Sequence, residues 1–263
     1  MPRKKTKQST GPYLIDLLLL REQVPSFDDF PFCLPIIQKL EHLPFHPKVT
    51  FFIGENGSGK STLLEALAVE VGLNPEGGSC HFNFATRASH SNLHQYLRLA
   101  KTASLARDSY FLRAESFYNV ASEVERIDPN LFHVYGGRTM HEQSHGESFW
   151  ALFQHRFRGN GLYLMDEPET ALSPKRQVEF LSLMHDYCQR GAQFVIATHS
   201  PIIIAYPDSC IYLLTTEGIR TVLYQETEHY LVTRDFLKNP AKSLQKILSE
   251  EKSAAQCADV DSN

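Results

Sequence analysis

Apolar residues in this chain are grouped in short runs, separated by polar and glycine-rich segments. Five runs have the length and composition of β-strands. They are Tyr13–Leu20, Val49–Ile53, Tyr110–Ala114, Leu162–Met165 and Phe194–Ala197. Two more runs flank a Glu-Gly pair and predict a β-hairpin, with strands at Ile211–Leu214 and Thr221–Tyr224.

Other apolar residues recur at helical spacing, first after the second run, at Leu63, Leu64, Leu67 and Val71. Further segments of helical character are His90–Ala106, Ser148–Phe157 and Ser173–Arg190, with a possible helix from Ala241. Residues 225–240 predict a capped turn or, alternatively, a lid. The alternation of strands and helices predicts an α/β fold with a mostly parallel sheet, flanking helices and an antiparallel β element.

The length of 263 residues and the 42% hydrophobic content suit one large domain with a real core. We predict a disordered basic tail over 1–11, a domain over 12–250 with a small helical lobe at about 88–145, and a flexible tail over 251–263. A net charge of −4 gives no global basic field for nucleic acid. The five scattered cysteines predict a reducing cytoplasm, and no apolar run is long enough to span a membrane.

The stretch from Gly54 to Ser61 fits the phosphate-binding loop pattern G-x-x-x-x-G-K-[ST] and lies between a predicted strand and a predicted helix. Its glycines let backbone N–H groups point at phosphate oxygens, beside a helix N-terminus. Lys60 would reach the β- and γ-phosphates and the Ser61 hydroxyl would bind Mg²⁺. The residues predicted to contact the nucleotide are Gly54, Glu55, Asn56, Gly57, Ser58, Gly59, Lys60, Ser61 and Thr62.

Two other predicted strands end in polar residues. Asp166 and Glu167 follow one, and His199 follows the other. Because ligands gather at the carboxyl ends of parallel strands, these residues should converge on Lys60. We predict Asp166 as a Mg²⁺ ligand, Glu167 as the residue that polarises water, and His199 as a contact to the γ-phosphate or to that water.

Residues 141–147 have two interpretations. His141 to His145 fit the zinc pattern H-E-x-x-H, but nearby glycines argue against the continuous helix that zinc binding needs. The favoured interpretation is an anion-binding turn in which Ser144, Gly146 and Glu147 contact phosphate.

The order of these motifs along the chain resembles that of ABC-type ATPases. More closely, the chain resembles the stand-alone ABC-like predicted ATPases that are often labelled AAA family. These are relatives of the SMC and recombination-repair ATPase heads. The resemblance implies ATP and Mg²⁺ as cofactors, Glu167 as the catalytic glutamate and His199 as the switch histidine. Ser144, Gly146 and Glu147 match the signature motif, which contacts the γ-phosphate on a second subunit. Glu115 is the candidate for the Q-loop position and a third metal ligand.

The resemblance predicts an ATPase that forms a head-to-tail homodimer on ATP. Its cycle would serve DNA repair, maintenance or defence, with an effector protein or nucleic acid as partner. Two alternatives remain open at this point, a nucleotide-binding subunit of a membrane transporter and a P-loop small-molecule kinase.

Overall fold

The computed structural model describes residues 12–79, 91–103, 106, 108–117 and 145–249. Predictions for the two tails and for most of the helical lobe lie outside these residues. Nine strands are present in the described part of the chain. They are β1 (Leu14–Leu19), β2 (His42–Pro44), β3 (Val49–Gly54), β4 (Leu97–Lys101), β5 (Asp108–Arg113), β6 (Gly161–Asp166), β7 (Gln193–Ala197), β8 (Ser209–Thr215) and β9 (Gly218–Thr221).

The helices alternate with these strands, as the sequence pattern predicts. They include α1 (Pro35–Gln38), α2 (Lys60–Glu70), α3 (His145–Ala151), α4 (Pro174–Gln189) and α5 (Glu228–Lys238). A π-helical segment, Leu152–Arg156, continues α3. Shorter 3₁₀ turns include Asn92–Tyr96 and Pro168–Ala171.

The strands form two sheets. Six of them lie in the order β5-β6-β7-β3-β8-β9, and the first five of these are parallel. The hairpin strand β9 is antiparallel to β8. A smaller antiparallel sheet has the order β2-β1-β4. The predicted α/β class, with a mostly parallel sheet and an antiparallel element, is confirmed.

Burial explains why the central strands are continuous apolar runs. Every residue of β3, β6 and β7 is buried, because these strands have a neighbour on each side and are covered on both faces. One hydrophobic cluster joins the small sheet, α1 and α2 to the large sheet, and it includes Leu17, Ile36, Phe52, Leu64 and Leu67.

The buried Gln193 side chain also connects the two sheets. Its Oε1 accepts hydrogen bonds from the N–H groups of Tyr13 and Leu14, each at 2.8 Å. Its Nε2 donates to the carbonyl oxygens of Leu14, at 2.9 Å, and His46, at 3.0 Å. One amide therefore satisfies four backbone groups at the start of β1 and before β3.

The helix predicted over His90–Ala106 is wrong for the described residues. Asn92–Tyr96 is a 3₁₀ turn, and Leu97–Lys101 is β4, which pairs with the free edge of β1. Leu93 and Leu97 fit helical spacing, but Leu97 and Leu99 also alternate as in a strand. The backbone hydrogen bonds offered by β1 decide between the two patterns.

The turn of the hairpin is shorter than predicted, and the first strand is longer. Thr215 pairs with Gly218, so the turn has two residues and β9 starts immediately at Gly218. The second strand therefore ends at Thr221, and Tyr224 belongs to a 3₁₀ turn.

Contacts within the chain divide it into two compact units, 1–222 and 223–263. In the second unit, the segment predicted as a turn or a lid contains the helix α5. The Thr227 hydroxyl caps it by accepting the N–H of Tyr230. Residues 240–249 are helical, as predicted for the tail. The predicted boundaries of a single ATPase domain over 12–250 stay a prediction.

Candidate nucleotide and metal site

The phosphate-loop residues lie between the end of β3 and the start of α2, in the predicted order. Gly54 and Gly59 have φ angles of +149° and +94°, which L-residues rarely adopt. A Cβ atom at Gly54 would lie 2.3 Å from the backbone oxygen of Leu214, and one at Gly59 would lie 2.8 Å from Cδ1 of Ile36. The close approach of β8 and α1 therefore requires glycine at both positions.

Lys60 is the first residue of α2 and its side chain is buried. Its Nζ donates hydrogen bonds to the carbonyl oxygens of Gly54 and Glu55, each at 2.8 Å. Burial lowers the pKa of Lys60, and the nearby carboxylates of Glu167 and Asp166 oppose this effect. The ammonium group therefore lies inside the loop, facing the acidic residues that follow β6.

Ser61 and Asp166 are in direct contact. The Ser61 hydroxyl donates to Oδ1 of Asp166 at 3.1 Å. The Asp166 side chain is buried, which raises its pKa to about 6, while Ser61 and the Arg113 guanidinium act to lower it. A hydroxyl and a buried carboxylate at this separation are hard oxygen ligands of the kind that Mg²⁺ binds beside a phosphate.

Glu167 and His199 face each other at the ends of β6 and β7. Glu167 Oε1 lies 3.9 Å from His199 Nε2, and both side chains are about one-third exposed. Glu167 has φ +50°, a left-handed conformation that is unfavourable for a non-glycine residue. Its backbone N–H bonds to the carbonyl of Ala197 at 2.9 Å, which holds the two strand ends together. Burial and the Lys60 charge lower the pKa of His199.

Glu115 lies at the edge of this group. Its side chain is 84% exposed, and its Oε2 is 3.8 Å from an Arg113 guanidinium nitrogen. The contact to Asp166 comes instead from Arg113, whose Nε lies 3.7 Å from Oδ2 of Asp166. The role of Glu115 as a metal ligand stays a prediction.

Sequence reasoning missed Arg113. It is the last residue of β5 and pairs in register with Asp166. Its Nη1 also donates to Glu65 of α2 at 3.0 Å, so the guanidinium connects β5, β6 and the helix after the phosphate loop. The rule that site residues lie at strand ends makes this arginine a candidate, because β5 ends there, but its contact with Asp166 depends on β5 and β6 being neighbours.

The signature residues are described in part. Gly146 and Glu147 lie in α3, and a Cβ atom at Gly146 would be 3.2 Å from the carbonyl oxygen of Ala171. Helix α3 therefore begins against the segment that follows Glu167. Ser144 and His141 lie outside the described residues, as does the side chain of His145. Nowhere in the described part of the chain, the site included, is a group of three or more His, Cys, Asp or Glu side chains arranged to hold a metal.

Sequence comparison identifies the family. A family model described as "AAA domain, putative AbiEii toxin, Type IV TA system" matches residues 133–205, and one described as "AAA domain" matches 32–76. The cytochrome c biogenesis ATP-binding export protein CcmA of Mesorhizobium japonicum is 31% identical over 160 residues, which cover 57% of this chain and 77% of that protein. The chain belongs to the ABC/AAA-type P-loop ATPases. It therefore binds ATP and hydrolyses it, as the sequence predicts.

Further similarities are found among curated proteins and solved structures. The putative ABC transporter ATP-binding protein TTE0246 of Caldanaerobacter subterraneus is 26% identical to the ATPase over 219 residues, covering 76% of this chain and 86% of that protein. Among solved structures, the SMC head domain of Thermotoga maritima is 16% identical, with a TM-score of 0.44 and coverage of 80% of this chain and 98% of that one. CbiO1 of Clostridium perfringens is 17% identical, with a TM-score of 0.48 and coverage of 87% and 97%. None of the described helices has the length and apolarity that crossing a membrane requires.

Proposed function

We propose that the ATPase hydrolyses Mg·ATP at the carboxyl ends of β3, β6 and β7. One observation carries this proposal, the convergence of two polar pairs on the phosphate loop. Ser61 contacts Asp166 at 3.1 Å, and Glu167 faces His199 at 3.9 Å. Ser61 and Asp166 lie 105 residues apart in sequence, and His199 follows a third strand, so the parallel sheet order brings these side chains together.

Each side chain has a distinct role in this proposal. Ser61 and Asp166 hold Mg²⁺, which would neutralise charge on the phosphate oxygens. Lys60 binds the β- and γ-phosphates through its ammonium group, which in this structure donates hydrogen bonds to two loop carbonyl groups. The Glu167 carboxylate accepts a hydrogen bond from the attacking water. Its side chain is partly exposed, which leaves room for that water. His199, the other member of the Glu167–His199 pair, contacts the γ-phosphate or the same water.

We also propose that the complete site needs two copies of the chain. Ser144, Gly146 and Glu147 match a signature motif that contacts nucleotide on a second subunit. In a two-fold arrangement, each signature would face the phosphate loop of the other copy, and two ATP molecules would be enclosed between the subunits. Within one chain, helix α3 begins beside the Pro168–Ala171 segment that follows Glu167.

The Glu167→Gln variant tests both parts of the proposal. It should bind ATP normally, hydrolyse it at least a hundredfold more slowly (an order-of-magnitude expectation for loss of the group that activates water), and accumulate as a dimer with Mg·ATP. Phosphate release and light scattering are the measurements. The matched control is Glu217→Gln in the exposed β8–β9 turn, which should behave as wild type. Wild-type turnover in this variant would refute the catalytic role of Glu167. A variant that stays monomeric with bound Mg·ATP would refute the proposed dimer.

We propose that the cycle serves DNA repair, maintenance or defence. The family model over 133–205, whose description includes "putative AbiEii toxin, Type IV TA system", supports the defence role. The alternative is a transporter subunit, which is supported by relatives named as an export protein and as a vitamin B12 import protein, BtuD of Yersinia enterocolitica. DNA-stimulated turnover would favour the first role, and co-purification with a membrane protein pair would favour the second. Phosphoryl transfer to a metabolite would instead indicate a kinase.

A further inference from the structure

Glu169 connects the loop after β6 to the loop after β7. It lies two residues after Glu167, in the 3₁₀ turn Pro168–Ala171. Its Oε1 accepts the backbone N–H of His199 at 2.6 Å, and its Oε2 accepts the hydroxyl of Thr198 at 2.7 Å. The N–H···O distance is short for a bond of this type, as is common when the acceptor is a carboxylate, and the O–H···O distance is ordinary. We call this pair of contacts the Glu169 clamp.

The hydrogen-bond directions in the clamp are fixed by its surroundings. The Thr198 oxygen already accepts the N–H of Ser200 at 3.0 Å, and its own proton is directed at Glu169. Thr198 is fully buried, so the loss of this acceptor would leave its hydroxyl proton without its present partner. The carboxylate therefore satisfies two donors of the His199 loop at once.

A second contact supports the far side of the same loop. The Ser200 hydroxyl donates to Oε1 of Gln177 in α4 at 2.6 Å, and Gln177 Nε2 donates to the carbonyl of Leu172 at 2.9 Å. The loop that carries His199 is thus attached at Thr198, His199 and Ser200 to the segment that follows Glu167. Of these attachments, the clamp is the charged one and the one that bonds to His199 itself.

We propose that Glu169 is a positioning residue that holds His199 beside Glu167 for hydrolysis. The inference rests on the proposed role of His199. Glu169 acts through the backbone of His199 and not on the nucleotide. A displacement of the loop by about 1 Å is enough to lower turnover roughly a hundredfold in a well-oriented site.

A double-mutant cycle tests this proposal. Glu169→Ala should lower kcat roughly 10- to 100-fold and leave the affinity for ATP nearly unchanged, because the phosphate loop is untouched. His199→Ala should lower kcat similarly. The double variant should be no slower than His199→Ala within about twofold, because the clamp acts through the missing imidazole. The backbone N–H that Glu169 accepts remains in His199→Ala, so the cycle isolates the position of the side chain.

Conservative variants separate geometry from charge. Glu169→Gln keeps one oxygen for the His199 N–H but turns an NH2 group toward the Thr198 hydroxyl, whose proton then loses its acceptor, so it should recover only part of the lost turnover. Glu169→Asp keeps the charge but is one methylene too short to reach both donors, and it should remain slow. It also replaces the alanine variant if that variant does not fold. Glu179→Ala, a partly exposed carboxylate of α4 paired with Arg176, is the matched control and should behave as wild type.

Three outcomes would overturn the proposal. They are wild-type kcat in Glu169→Ala, an equal further loss of kcat when Glu169→Ala is added to His199→Ala, and failure of Glu169→Gln to exceed Glu169→Asp. A slow His199→Ala with a normal Glu169→Ala would refute the clamp and leave the proposed function intact. A normal His199→Ala would refute the proposed role of His199. Independently of activity, the amide proton of His199 should move upfield in the NMR spectrum of Glu169→Ala, since it loses its bond to a carboxylate.

Discussion

The buried carboxylate of Asp166 should lower the free energy of unfolding of the protein. Its side chain is only 6% exposed, and burial raises its pKa from 3.8 to about 6. A shift of this size corresponds to about 3 kcal/mol of folding free energy. Because the folded protein holds the proton more tightly than the unfolded chain, stability falls as the pH rises from about 4 through about 6. Above that range the full penalty of the buried charge is present.

The Asp166→Asn variant removes this charge and keeps the shape. Its amide oxygen can still accept the Ser61 hydroxyl, but its amide nitrogen would face the Arg113 guanidinium, 3.7 Å from the present carboxylate. The loss of that attraction offsets part of the gain, so we expect a net stabilisation of about 1–2 kcal/mol at pH 8. This corresponds to an increase in Tm of roughly 2–8 °C for a chain of this size. The same variant should lose Mg²⁺-dependent hydrolysis.

Thermal unfolding at pH 5 and pH 8, with EDTA and without nucleotide, measures the effect. The stabilisation should be largest at pH 8 and shrink at pH 5, where the wild-type carboxyl is mostly protonated. Asp208→Asn is the matched control, because the pKa of the exposed Asp208 is shifted in the opposite direction. Lys48 lowers this pKa, so neutralising Asp208 should not stabilise the protein. A variant at Asp166 that is less stable than wild type at pH 8, or equally stabilised at both pH values, would refute the reasoning.

Three further predictions follow from the geometry. Gly54→Ala should destabilise the protein by more than about 3 kcal/mol in urea unfolding, because its Cβ would lie 2.3 Å from the Leu214 backbone oxygen. Gly57→Ala has open space around its Cβ, so it should destabilise the protein by only about 1–2 kcal/mol. Gln193→Leu should cost about 3 kcal/mol or more in the same assay, since four backbone groups lose their partner. Ser61→Ala should raise the Mg²⁺ concentration needed for half-maximal turnover on the order of tenfold, and an unchanged Mg²⁺ dependence would exclude Ser61 as a ligand.

Much of the sheet was predictable because its strands are buried on both faces. The runs at Val49–Ile53, Leu162–Met165 and Phe194–Ala197 need apolar residues at every position, and this pattern is visible in one local window. The rule that ligands gather at the carboxyl ends of parallel strands then brought Lys60, Asp166 and His199 together before the sheet order was known.

The parts that failed depend on contacts between distant residues. The segment Leu97–Lys101 is a strand only because β1 offers a free edge, so its own sequence was ambiguous between helix and strand. Arg113 reaches Asp166 because β5 and β6 are neighbours in register, which no local pattern encodes. Glu169 bonds to a loop 30 residues later in the chain, and its sequence context resembles that of any exposed acidic residue in a turn.

The most direct test of the central claim, that the ATP site is shared by two copies of the chain, is complementation between two inactive variants. Lys60→Ala removes the phosphate-loop half of the site, and Ser144→Arg blocks the signature half. Each variant alone should lack ATPase activity. In a mixed dimer, one of the two sites contains an intact phosphate loop and an intact signature. An equimolar mixture should therefore recover roughly a quarter of wild-type turnover. A mixture as inactive as its two components would contradict the claim.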